Sequence, residues 1–177
     1  GGVNISFTRI ETSNPYNQVG TIYFEGNISS FEIGGWEVAI DNFCLLYDSS
    51  IPNDCNYLSE FEDLALNSQF LNGSSFSSND VNFDVFQTVI PGATGGTGSI
   101  IVTNTNSTGN TGHEILVDDI SIKTQLPNNV NAIFFNVNNN FKYLRLKINS
   151  EVRVFQVPYS LDGLIVGGVS ISVAAPK

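Results

Sequence analysis

Short apolar-rich runs bounded by Gly, Asn, Pro and Ser recur along this chain, and one of them alternates cleanly between apolar and polar positions. The cleanest run is Phe141–Asn149. There Leu144, Leu146 and Ile148 share one side, while Tyr143, Arg145 and Lys147 share the other. Similar runs, rich in β-branched and aromatic residues, predict strands over Val3–Arg9, Gly20–Gly26, Trp36–Tyr47, Val81–Thr88 and Ser99–Thr103. Glu114–Lys123, Val130–Val137, Phe141–Asn149, Glu151–Val157 and Leu164–Ala174 complete the set. Asn138-Asn139-Asn140 reads as a hairpin turn, because Asn tolerates positive φ, and Asn149-Ser150 as a second tight turn. Leu58–Leu66 has near-helical apolar spacing but is short, and reads as strand plus loop. Pro91–Gly98 and Asn104–Gly112 read as loops. Many short strands without a sustained helical period predict a single all-β domain over residues 1–177, an antiparallel β-sandwich of jelly-roll type.

One strand phrase occurs twice. Gly1-Gly2-Val3-Asn4-Ile5-Ser6-Phe7 opens the chain, and Gly167-Gly168-Val169-Ser170-Ile171-Ser172-Val173 nearly closes it. A chain carrying a spare copy of one of its own strands can pair that copy in a neighbouring molecule. This points to assembly with copies of itself rather than to chemistry.

Composition narrows the function classes. Hydrophobic residues make up 41% and charged residues 14%, with a net charge of −10. An acidic chain of this kind is a poor partner for a phosphate backbone, so nucleic acid is not expected. The charge is uneven. Residues 1–84 hold 12 of the 17 acids and a single base, Arg9. Lys142, Arg145, Lys147 and Arg153 fall close together in the other half. They form either a solvated strand face or a basic strip that meets the acidic half of another copy. The longest apolar stretch, Leu164 to Ala175, is too short and too Gly/Ser-rich to span a bilayer. There is no methionine, which suggests a processed or excised product. Cys44 and Cys55 read as a disulfide closing a short loop, with two unpaired thiols as the alternative; the disulfide implies an oxidising compartment and an extracellular or cell-surface location. Four N-x-S/T sequons, at Asn4, Asn27, Asn72 and Asn106, are weak glycosylation signals in so Asn/Ser-rich a chain.

Catalysis finds little support. The single histidine, His113, lies in a polar loop, so no Ser-His-Asp arrangement is expected. The paired carboxylates Glu62-Asp63 and Asp118-Asp119 read first as strand-end or loop acids. Trp36, the one tryptophan, reads as a core or strand-end residue rather than a sugar platform, and the 13 phenylalanines as core.

Three stretches together resemble a known group. They are Phe61-Glu62-Asp63-Leu64-Ala65-Leu66 with Phe70–Phe76, Leu144–Asn149 running towards Gly167–Val173, and Gly26–Trp36 continuing into Ile40-Asp41-Asn42-Phe43-Cys44. The set resembles secreted bacterial β-sandwich surface domains of the PEP-CTERM-associated type, built like carbohydrate-binding-module jelly rolls. The order departs from that family, since the closing strands, residues 1–48, precede the main body, residues 57–177. The resemblance therefore implies a circularly permuted domain. Its first segment either folds back at home, completes a neighbour, or does both with one strand exchanged. The resemblance also implies a structural calcium ion held by Asp41 and Glu62, with Asp63 nearby. The expected function is that of a non-catalytic extracellular structural protein polymerising head-to-tail by strand complementation. A carbohydrate-binding module that engages glycans is the alternative, and a viral jelly-roll coat or fibre protein a more distant one.

Overall fold

In the computed structural model the chain is described over residues 19–47, 55–88, 95–105, 108, 111–126, 128–138, 143–156 and 161–174. Among these residues there is no helix. The strands are β1 (Val19–Ile28), β2 (Phe31–Gly35), β3 (Val38–Leu46), β4 (Tyr57–Ser59), β5 (Gln69–Leu71), β6 (Ser75–Ser78), β7 (Val81–Phe86), β8 (Ser99–Thr103), β9 (Glu114–Asp118), β10 (Ile120–Thr124), β11 (Val130–Asn138), β12 (Tyr143–Ile148), β13 (Glu151–Gln156), β14 (Ile165–Val166) and β15 (Val169–Ala174). They form two packed antiparallel sheets. The nine-stranded sheet runs β14-β15-β1-β11-β3-β9-β8-β5, with β4 also on β3. The six-stranded sheet runs β13-β12-β2-β10-β7-β6. The fold is a β-sandwich, as the alternation implies.

The sheets meet over a core of alternate side chains. Leu144, Leu146 and Ile148 of β12 are fully buried, while Tyr143, Arg145 and Lys147 lie half-buried on the other face. Phenylalanines bridge the layers. Phe135 contacts Phe24, Phe31 and Phe43, and Phe43 meets Phe83 edge-on at 5.4 Å. Within the first segment, the described residues 19–47 pair with strands of the same chain. β1 lies between β15 and β11, β2 between β12 and β10, and β3 between β11 and β9. Val3–Arg9 falls outside the described residues.

Four sequence expectations are corrected. Glu114–Lys123 is not one strand. It splits at Asp119, whose φ of 54° turns the chain out of the nine-stranded sheet into the six-stranded one. Leu164–Ala174 splits likewise into the β14–β15 hairpin. Gly167 and Gly168 form its two-residue turn at φ 57° and 76°, a region glycine enters without steric cost. The strands flanking Asn138–Asn140 do not pair as a hairpin, and Asn139 and Asn140 themselves lie outside the described residues. β11 pairs with β1 and β3 and β12 with β13 and β2, so this connection crosses between sheets. Trp36–Tyr47 becomes β3 with a bulge, because the four residues from Asp41 to Cys44 oppose the three from Asn136 to Phe134. Asn42 takes the left-handed conformation there at φ 50°. The bulge shifts the alternation, so that Val38 and Ile40 precede it in the core and Phe43 and Leu45 follow it. Other expectations hold. Asn149, at φ 55°, turns β12 into β13, and Ser99–Thr103 is a strand over that same span.

Cys44 and Cys55 form the expected disulfide, with Cα atoms 5.7 Å apart. It ties β3 to the start of β4 and sits in a small cluster with Leu46, Ala132 and Phe134, apart from the main core. Replacing both cysteines by alanine is expected to cost about 2–3 kcal/mol through the freed loop. Urea unfolding should show this as a lower midpoint without loss of the β-sheet circular dichroism signal.

Candidate functional site

The slot that holds β15 combines the duplicated phrase with a defined geometry. β15 pairs antiparallel with β1 from Thr21↔Ala174 to Glu25↔Ser170. Val169, Ile171 and Val173 point inward and are at most 1% exposed, while Ser170 and Ser172 alternate to the other face, Ser170 half-buried and Ser172 buried. The far edge of β15 is covered by the preceding segment. Gly163 N–H donates to Ile171 O at 3.0 Å, Ile171 N–H to Leu164 O at 2.8 Å, and Val173 N–H to Asp162 Oδ1 at 3.2 Å. A carboxylate on an outer strand N–H is one way of closing a sheet edge. The Gly167–Gly168 turn is fastened to the other sheet. Asn149 Nδ2 donates to Gly167 O and Gly167 N–H to Glu151 Oε2, both at 2.8 Å. The bond from Gly167, then the Arg153 side chain at 2.6 Å, hold the Glu151 carboxyl below its ordinary range.

A second location is an open acidic pocket of about 290 Å³ lined by Asp41, Asn42, Glu60, Glu62 and Thr111. The β3 bulge places Asp41 and Asn42 there, and Asp41 Oδ1 accepts from Asn42 N–H at 2.7 Å. Glu62 is positioned from across the site, accepting the His113 N–H at 2.6 Å. Thus Asp41 and Glu62, paired by the resemblance, do line one pocket. Asp63 has other partners, Ser78 Oγ at 2.6 Å and Asn79 N–H at 2.7 Å. Burial pushes its carboxyl up, but those bonds outweigh it and leave it below its ordinary range. Among the described residues no group of three or more His, Cys, Asp or Glu stands arranged to hold a metal ion. Glu60 was not foreseen, since its isolated position carried no motif. His113 acts in architecture, with Nδ1 3.0 Å from Leu64 O.

The outer face of the six-stranded sheet is the third. Trp36 is half-buried at the end of β2 and lies parallel to Tyr143, with centroids 6.4 Å apart. It is thus a strand-end residue, as expected. The expected basic strip is largely neutralised within the chain. Glu32, 5% exposed, receives Arg145 and Lys147 at 3.1 Å each, and Arg153 pairs with Glu151. Lys142 lies outside the described residues. Glu32 could not be singled out earlier, because its cations are more than 110 positions away and meet it only through β2–β12 pairing. Of the sequons, Asn27 and Asn72 are exposed, and Asn4 and Asn106 lie outside the described residues.

Compared with known protein families, curated proteins and solved structures, the chain matches none.

Two expectations follow from the ion pairs. Glu32→Gln leaves two cations on a mostly buried face and should cost on the order of 3 kcal/mol, measured by chemical denaturation. Glu151 titrates lower folded than unfolded, so its stabilisation is present above the unfolded carboxylate range and is lost as pH falls through the folded value. Glu151→Gln should therefore melt below the parent protein at pH 7, and the gap should close between about pH 5 and pH 3.

Proposed function

We propose that this chain is a non-catalytic structural protein of an extracellular surface or matrix, assembling head-to-tail with copies of itself by exchange of a terminal strand. The observation that carries this reading is the fit of the duplicated phrase to the β15 slot. The slot accepts apolar side chains at alternate positions after a Gly-Gly pair: Val169, Ile171 and Val173. Val3, Ile5 and Phe7 repeat that spacing after Gly1-Gly2. A segment with this pattern, arriving from a neighbour, can satisfy the same N–H and C=O groups of β1 and bury the same face. Exchange of one strand between otherwise self-folded molecules is heterologous and does not close, so it propagates as a filament. The disulfide suits an oxidising location. No helix among the described residues is long and apolar enough to cross a membrane. Calcium at the Asp41–Glu62 pocket would add rigidity through oxygen ligands suited to a hard cation. Glycan binding is a second reading, favoured by the parallel Trp36–Tyr143 pair.

Electron microscopy and light scattering of the intact chain and of a variant lacking residues 1–9 test the proposal. The intact chain should form filaments, and the truncated one should remain as discrete single-chain particles. Single-chain particles from both, at all concentrations and with calcium present, would sink it.

A further inference from the structure

The corner where the chain leaves one sheet for the other carries an unused pair of acids. Asp118 ends β9 and is 6% exposed, and Asp119 alone separates it from β10. Asp118 Oδ2 accepts the Thr97 N–H at 2.8 Å. Asp118 Oδ1 is buried without a hydrogen-bond partner. An ionised carboxylate oxygen left so in a protein interior is costly, and a cation is one of the few things that repays it.

The corner is closely packed around the two acids. A methyl group built on Gly96 would lie 2.4 Å from Asp119 Cβ and 2.9 Å from Asp118 Oδ1, so only a glycine fits against this corner. Gln87 leans across from the end of β7, with Nε2 donating to Asp119 O at 3.1 Å. Among the described residues no Lys or Arg forms an ion pair with either acid.

We propose that Asp118 and Asp119 bind a hard divalent cation of the calcium type at this corner, separate from the Asp41–Glu62 pocket. Two carboxylates with amide, carbonyl and water oxygens suit calcium, which accepts irregular oxygen shells, better than magnesium, which demands near-ideal octahedral geometry. The ion would tie the nine-stranded sheet to the six-stranded one at the turn where they share a backbone. This inference does not depend on self-assembly.

The test is thermal unfolding of the full chain, stripped with a chelator and then titrated with CaCl2, MgCl2 or NaCl at matched ionic strength. Calcium at a hundredfold excess over its Kd should raise Tm by about 5–10 °C. Asp118→Asn keeps an acceptor for Thr97 and removes the charge repulsion. It should be at least as stable as the parent protein under chelation and less stable in calcium. The half-exposed Asp119→Asn should behave alike, and serves should Asp118→Asn fail to fold. Isothermal titration should show one calcium site lost in either variant and kept in Asp41→Asn and Glu62→Gln. Three results would overturn the proposal: no calcium-dependent rise in Tm, a rise and site count unchanged in both corner variants, or corner variants as destabilised under chelation as in calcium.

Discussion

The packing of phenylalanine rings between the sheets is the constraint on which the rest depends. Phe24 and Phe135 come from neighbouring strands of the nine-stranded sheet, and Phe31 reaches them from the six-stranded one. Phe43 passes the contact to Phe83, and Phe83 to Phe61 and Phe76. Rings far apart in the chain, from Phe24 to Phe135, thus form one interdigitated layer, and each must arrive with its side chain inward. Aromatic pairs contribute about 0.5–1.5 kcal/mol beyond their buried area, so phase errors along a strand are heavily penalised.

That demand explains the local departures from regular pairing. The extra residue at Asp41–Asn42 lets Ile40 and Phe43 both face the core, where simple alternation would expose one of them. The break at Asp119 does the same for neighbouring stretches belonging to different layers. Val117 packs from one sheet and Ile120 from the other. Both devices leave carboxylates at points where the backbone changes direction. The acidic pocket and the Asp118–Asp119 corner are by-products of seating an apolar layer, available for use.

Much of the architecture was legible because alternation is a local signal. β8 and the inward face of β12 could be read residue by residue, and so could the Cys44–Cys55 link. What escaped was decided elsewhere in the chain. Nothing within Glu114–Lys123 announces that its two halves serve different sheets, because Asp118-Asp119 interrupts an otherwise strand-like run. Gly167-Gly168 could be taken as a strand start, and became a turn once β14 folded against β15. Asn138–Asn140 carries the chemistry of a hairpin, but the choice of partner rests with β1, β2 and β3. The candidate sites divided on the same principle. Asp41 and Glu62 did share a pocket, whereas Asp63 was claimed by the adjacent Ser78–Asn79 turn and Glu32 by distant cations.

The pairing map has a temporal side. β1 pairs with β11 and β15, β2 with β10 and β12, and β3 with β4, β9 and β11. None of these three opening strands pairs with another of them. During synthesis or export, N-terminus first, the segment bearing Phe24, Phe31 and Phe43 therefore emerges long before its principal partners exist. Sheet closure must wait until residues 114–174 are in place, which makes productive folding late and slow. Until those later strands arrive, its apolar faces and unpaired strand edges stay exposed, the condition in which a folding chain aggregates most readily.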